Sequence, residues 1–167
     1  GKSFSVIEPE VVKHALLRAG EETLLTTLRK VHVVDRMERV IEYLEHHKLA
    51  RYIKSVKRSP VYMVSLHNGH IIYGISVGDD PEAKMAQGKH ASLIIVDEAH
   101  QYPLRAWTKI QGAKDARGCR VLMTGVPDGR VDTPFRMARE KYPSFNTRRF
   151  RISRRTDPNF TQKTKDE

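Results

Sequence analysis

The sequence predicts an α/β fold, a mainly parallel sheet flanked by helices and carrying one β-hairpin. Three features point there. The continuous apolar run at 92–96 (SLIIV) is of the type that fills central parallel strands covered on both faces, and 120–123 (RVLM) reads as another buried strand. Stretches with apolar residues at helical spacing lie between the strand-like runs. An Asn68-Gly69 pair sits between two β-rich segments, where both turn residues can take positive φ.

Taken in order, residues 10–19 (EVVKHALLRA) space their apolar side chains as a helix does, with Gly20 as the stop. Residues 21–30 (EETLLTTLRK) open with acids and close with Arg29 and Lys30, the order a helix dipole favours, and read as helical. Val31 to Val34 form a short apolar run, read as a buried strand. Residues 35–52 predict an amphipathic helix whose inner stripe is Met37, Val40, Ile41, Leu44 and Leu49. Segments 61–66 and 70–77 are the arms of the hairpin, and 78–91 reads as a loop around a short helical piece. Helices are expected near 103–116 and 134–142, and 147–153 (TRRFRIS) alternates as a strand does. Trp107 and Phe135 are expected in the core.

The chain has 167 residues, a length suited to one domain with a core of its own. Its single cysteine, Cys119, allows no internal disulfide. No apolar run approaches the roughly eighteen residues of a membrane span, and the N-terminus has no signal-peptide pattern, so no membrane partner is expected. The charge is uneven. Residues 105–155 hold 14 basic and 4 acidic side chains, whereas 1–104 hold 14 and 13. Such concentration suits a polyanion, because neutralising phosphates releases counterions.

The most informative segment is 93–100 (LIIVDEAH). An apolar strand delivers Asp97 and Glu98 at its carboxyl end, where open α/β sheets bind ligands. One carboxylate suits a hydrated Mg²⁺ and the next can polarise a water for attack on a phosphoryl group. Gly1-Lys2-Ser3 matches the last three residues of a phosphate-binding loop, in which Lys reaches the phosphates and the hydroxyl ligates Mg²⁺. At 121–129 (VLMTGVPDG) a second buried strand ends in a small hydroxyl residue, placing Thr124 to sense a γ-phosphate.

The order GKS, NGHII, QGKHASLIIVDEAHQYP, VLMTGVPDG and DPNF resembles the ATPase domain of phage large terminase subunits, the DNA-packaging motors of tailed bacteriophages. The resemblance implies a P-loop NTPase sheet of the ASCE, RecA-like kind. It makes Gly1, Lys2 and Ser3 the end of the Walker A loop, Asp97 the Walker B ligand of Mg²⁺, and Glu98 the catalytic carboxylate for ATP. Thr124 and Gly125 match the motif that couples hydrolysis to DNA movement. It further implies double-stranded DNA as substrate, a ring homo-oligomer with an arginine finger, contact with a portal and a small terminase subunit, and work in the cytoplasm of an infected bacterium. On this reading 1–167 is a single ATPase domain cut within the Walker A loop, with no nuclease domain. Pro9, six residues after Ser3, departs from the pattern and predicts that the loop helix ends early or kinks. Residues 86–89 (AQGK) stand where the family often has Arg-Gly.

Arg148, Arg149, Arg151, Arg154 and Arg155 surround Phe150 and suit a DNA backbone without sequence reading. Arg130, Arg136 and Arg139 follow the TGVPDG turn and are the finger candidates. His67 and His70 straddle the hairpin turn and His46-His47 end a helix, so all four are expected in solvent; His100 is a candidate link from the carboxylate pair to neighbouring segments. Two other functions fit the same residues. One is the first motor domain of a DEAH-type superfamily-two helicase. The other is a basic DNA-binding or assembly module without ATPase activity.

Overall fold

The computed structural model describes residues 6–78, 84–115, 118–126, 129–130 and 132–140. Six strands form one sheet in the order β2-β3-β4-β1-β5-β6. They are β1 (Glu22–Thr27), β2 (Ile53–Lys57), β3 (Tyr62–Leu66), β4 (Ile71–Ser76), β5 (Ala91–Val96) and β6 (Arg120–Met123). β4, β1, β5 and β6 run parallel, and β2 and β3 add an antiparallel margin. The helices are α1 (Ile7–Leu17), α2 (Lys30–His46), α3 (Leu104–Gln111) and α4 (Pro134–Glu140).

Successive strand residues face opposite sides, and the core divides accordingly. Leu25, Ile72, Leu93 and Ile95 pack against Val11 and Ala15 of α1 and Met37, Val40 and Leu44 of α2. Leu24, Ile75, Ile94 and Val96 pack on the other side with Tyr102 and with Ala106, Trp107 and Ile110 of α3. The central strands are therefore covered on both faces, which is why their sequences run apolar without alternation. α2 lies close enough to β4 that a Cβ on Gly74 would fall 2.7 Å from both Met37 Cγ and Val33 Cγ1.

Much of the expected pattern is present: the α/β class, the hairpin with its Asn68-Gly69 turn, the buried strand ending at Val96, the amphipathic helix through Leu44, and Trp107 in the core. The strand ending at Met123 is present too, but it lies at the margin of the described sheet with one neighbour, β5, and is only partly buried rather than buried as expected. Phe135 is partly buried against that core. The strand expected at 147–153 lies outside the described residues.

Two neighbouring segments are exchanged. Residues 22–27 form the central strand β1 rather than a helix, and Val31–Val34 lie in α2 rather than in a strand. β1 is hydrogen-bonded on both edges, to β4 and β5, and its residues from Thr23 to Thr27 are buried. Its threonine hydroxyls are satisfied there: Thr26 Oγ1 donates to the Ile95 carbonyl at 2.9 Å. Burial between two strands outweighs a charge order that is worth only tenths of a kcal/mol up to about 1 kcal/mol. Once β1 is a strand, the chain turns at Leu28 and Arg29, and Val31 faces outward at 66% exposure. The helix ends at His46, short of the expected residue 52, and strand β2 begins directly beyond that range, where the sequence predicts no strand.

Pro9 does not end α1, which runs on to Leu17. It is the third residue of the helix, in the first turn, where the backbone N–H groups lack intrahelical acceptors and a proline costs little. Among the described residues no helix is long and apolar enough to cross a membrane.

Candidate nucleotide-hydrolysis site

The parallel strands β1, β5 and β6 end on one side of the sheet, and their ladder continues past the strand ends. The Asp97 amide donates to the Thr26 carbonyl at 3.0 Å, the Thr124 amide to the Val96 carbonyl at 3.0 Å, and the Ala99 amide to the Thr124 carbonyl at 2.7 Å. These backbone bonds fix Asp97 beside Thr124, whose hydroxyl donates to Asp97 Oδ1 at 2.6 Å. The Glu98 amide donates to the same oxygen at 3.1 Å. Oδ2 accepts a 2.7 Å hydrogen bond from Arg36 Nε on α2. Asp97 is 3% exposed, so this carboxylate is held by three donors in a nearly dry setting.

Glu98 behaves differently. Its backbone is left-handed, φ 54° and ψ 44°, where a non-glycine residue is uncommon. Its side chain is 40% exposed, turned away from the buried Asp97. Glu98 Oε2 lies 3.3 Å from His100 Nδ1, and the same nitrogen accepts from the Val126 amide at 3.3 Å. A Cβ on Gly125 would come within 2.9 Å of that nitrogen. His100 thus contacts both the carboxylate after β5 and the turn after β6.

Two residues of this site were missed by sequence reasoning. Arg36 bridges Asp97 and Glu8, with its Nη1 3.5 Å from Glu8 Oε1. Glu8, on α1, is 1% exposed, and burial pushes its carboxyl above the ordinary range while its own amide and the Arg36 and Arg39 charges oppose. A signal was present: Glu8 precedes Val11, Val12 and Ala15 by three, four and seven residues, and Arg36 follows Val33 by three and precedes Val40 by four. Each is a charge within an apolar helical stripe.

Of the other expected site residues, Gly1, Lys2 and Ser3 and the arginines Arg148, Arg149, Arg151, Arg154 and Arg155 lie outside the described residues. Arg130 lines a groove of about 490 Å³ with Tyr102, Pro103, Asp132 and Thr133. Arg136 and Arg139 fall on α4, which packs against the 99–101 turn; the Arg139 side chain lies outside the described residues. His46, His47 and His67 are exposed as expected. His70 is not. It is fully buried, with Nδ1 donating to the Arg18 carbonyl at 2.6 Å and Nε2 accepting from Thr23 Oγ1 at 2.9 Å. It sits at the opposite end of β1, where turn geometry gave no hint of burial.

The donor set suits Mg²⁺ at a nucleotide site, where the ion takes one or two carboxylates and completes its shell with phosphates and waters. Among the described residues no group of three or more His, Cys, Asp or Glu could hold a metal unaided.

No family model and no curated protein matches the sequence. Solved structures do match the fold. The large terminase ATPase domain of Thermus phage P74-26 superposes with a TM-score of 0.61 at 19% identity, covering 77% of this chain and 56% of that one. The large terminase of a thermophilic bacteriophage gives 0.62 at 10% identity, covering 75% and 31%. The HK97 bacteriophage large terminase gives 0.57 at 15%, covering 73% and 26%. The chain therefore spans about half or less of the structures it resembles. Its architecture, a mostly parallel six-stranded sheet flanked by helices, is the fold of phage large terminase ATPase domains.

Proposed function

We propose that this chain hydrolyses ATP as the motor core of a terminase-type DNA-packaging machine. The observation that carries the reading is the pairing of Asp97 with Thr124 at the carboxyl ends of adjacent strands, with Glu98 next in sequence and open to solvent. That is where a sheet of this class binds ligand, and the terminase likeness of the fold supports the same reaction. Mg²⁺, when bound with ATP, would neutralise charge on the phosphates. Asp97 and Ser3 would hold it, with Gly1, Lys2 and Ser3 closing on the phosphates.

Glu98 is the residue to orient and deprotonate the attacking water, since it is the carboxylate of the pair with an exposed side chain. Thr124, hydrogen-bonded to Asp97, would report the state of the γ-phosphate to Gly125 and the following turn. Arg130, Arg136 and Arg139 remain the candidates for a finger acting on a neighbouring subunit of a ring. The five arginines between 148 and 155 would bind double-stranded DNA through its phosphates. Portal and small terminase subunits are the expected protein partners.

The test is a titration of the full-length protein with a fluorescent ATP analogue and Mg²⁺, beside steady-state hydrolysis. Binding should be lost in Lys2→Ala and Asp97→Ala. Turnover should fall about 10²-fold or more in Glu98→Ala with binding retained. Turnover unchanged in folded Glu98→Ala would remove Glu98 from the hydrolytic role, and a folded parent with neither nucleotide binding nor turnover would sink the enzyme reading and leave the basic DNA-binding module.

A further inference from the structure

We propose that Arg36 is an internal placeholder for the cation at Asp97, and that Glu8 is the seat to which its guanidinium moves when the cation binds. This deepens the reading of Asp97 as the metal-side carboxylate and rests on it.

The geometry of the carboxylate leads there. Asp97 Oδ1 already accepts from Thr124 Oγ1 and from the Glu98 amide. A cation, held directly or through one of its waters, has Oδ2 left to use, and Arg36 Nε occupies that oxygen at 2.7 Å. As long as the guanidinium stays, Asp97 offers little net charge to a divalent ion, because attraction in a nearly dry site is dominated by the nearest partner.

Glu8 supplies the second half. Apart from the influence of its own amide, neither of its carboxylate oxygens has a hydrogen-bond partner among the described residues, although the side chain is buried. A buried carboxylate without hydrogen bonds is costly unless a charge stands near. Arg36 Nη1 stands at 3.5 Å from Oε1, too far for a good hydrogen bond but within a small side-chain adjustment of one. The guanidinium therefore has one carboxylate it holds and one it nearly reaches. Its planar fork of five donors can change partners without leaving either charge bare. With the cation on Asp97 and Arg36 on Glu8, both carboxylates would be paired. Without Arg36, Glu8 and Asp97 would repel across the gap, and a divalent ion would be drawn in more strongly.

A purely structural ion pair, tying α1 and α2 to the end of β5, makes the opposite prediction, since its loss would loosen the site and weaken every ligand. The two differ in sign. The experiment measures the Mn²⁺ midpoint for binding of a fluorescent non-hydrolysable ATP analogue to the full-length protein, in the parent and in Arg36→Gln, Glu8→Gln, Arg39→Gln and Asp97→Asn. Arg36→Gln should lower the midpoint at least fivefold. Glu8→Gln, which removes the alternative seat, should raise it several-fold. Arg39→Gln, one turn along the same helix, should stay within twofold. If Arg36→Gln does not fold, Glu8→Gln with Arg36→Gln removes one charge of each sign and should still lower the midpoint. A midpoint unchanged or raised on loss of Arg36, or an equal drop in Arg39→Gln, overturns the placeholder while Asp97→Asn still raises the midpoint. A midpoint unmoved by Asp97→Asn overturns both the placeholder and the metal assignment beneath it.

Discussion

The Thr124 hydroxyl donates to Asp97 Oδ1 at 2.6 Å, joining the ends of two adjacent parallel strands through side chains as well as backbone. Because the Thr124 amide also continues the ladder to Val96, the hydroxyl has little freedom to do anything else. Thr124→Val keeps the shape and removes the donor. A hydrogen bond to a charged group contributes about 1.5–3 kcal/mol, so the melting temperature should drop by about 3–12 °C. Hydrolysis should fall at least tenfold, and Thr124→Ser should recover most of both. Calorimetry and steady-state turnover on the two variants decide it; equal behaviour of Val and Ser would remove the hydroxyl from the account.

At the other end of the strands two buried histidines make stability depend on pH. Burial lowers both the His14 and the His70 pKa below 6.5. His14 Nε2 is hydrogen-bonded to Ser92 Oγ at 2.9 Å, and the rings meet edge-on with centroids 5.7 Å apart. Glu21 and Glu22 favour the charged forms, Arg18 and Arg120 oppose charge on His14, but desolvation is the largest influence on each. The unfolded chain therefore binds more protons than the folded one below pH 6.5. Stability from these residues is complete above that pH and declines as pH falls below it. Urea midpoints between pH 5 and 8 should show the decline, and His14→Gln should flatten it. A slope identical in the variant would place the acid sensitivity elsewhere.

Legibility followed what each residue could signal locally. The strand ending at Val96 was readable because six consecutive buried positions in β5 demand an unbroken apolar run. The place of Asp97 and Glu98 at the carboxyl end of that strand was readable because the two charges follow straight after such a run. The 21–34 stretch misled for the converse reason. TLLTT has neither a helical stripe nor strand alternation, so the charges at its two ends were the only local cue, and the pairing with β4 and β5 that decides its state is supplied by residues about fifty and seventy positions away. Arg36 and Glu8 carried a signal of another kind, a charge in an apolar helical register. Each alone is an irregularity; only the folded chain brings the two together and adds Asp97. His70 carried no signal, since a histidine after an Asn-Gly turn is buried here only because Arg18 and Thr23 close over it.

His100 and Gly125 are fitted to each other. The Val126 amide reaches His100 Nδ1 at 3.3 Å because no side chain intervenes at Gly125, where a Cβ would stand 2.9 Å from that nitrogen and 3.4 Å from the His100 amide. Gly125→Ala should push the imidazole away from the turn and with it disturb Glu98, 3.3 Å distant on the same nitrogen. Misplacement on the scale of 1 Å costs up to about 10²-fold in rate. Turnover should drop on the order of tenfold while nucleotide affinity stays within twofold. A large loss of affinity with unchanged turnover at saturation would show that the turn serves binding instead.

Glu98 holds a backbone conformation that its side chain disfavours, at φ 54° and ψ 44°. A left-handed position costs a non-glycine residue about 1–2 kcal/mol, and strain of this sort persists where function requires the side chain. The sharp turn lets β5 end in Asp97 directed inward and Glu98 directed outward, with the chain then entering the 99–101 turn over the end of β6. Glu98→Gly relieves the strain, and the greater freedom of glycine in the unfolded chain takes back part of the gain. The variant should therefore be more stable by about 0.5–1 kcal/mol, a rise of about 1–4 °C in melting temperature, and should hydrolyse ATP no faster than Glu98→Ala. Thermal unfolding beside steady-state turnover checks both halves. A fall in melting temperature would mean that the Glu98 side chain supports the fold, and that the left-handed turn is held by its contact with His100 rather than retained for catalysis.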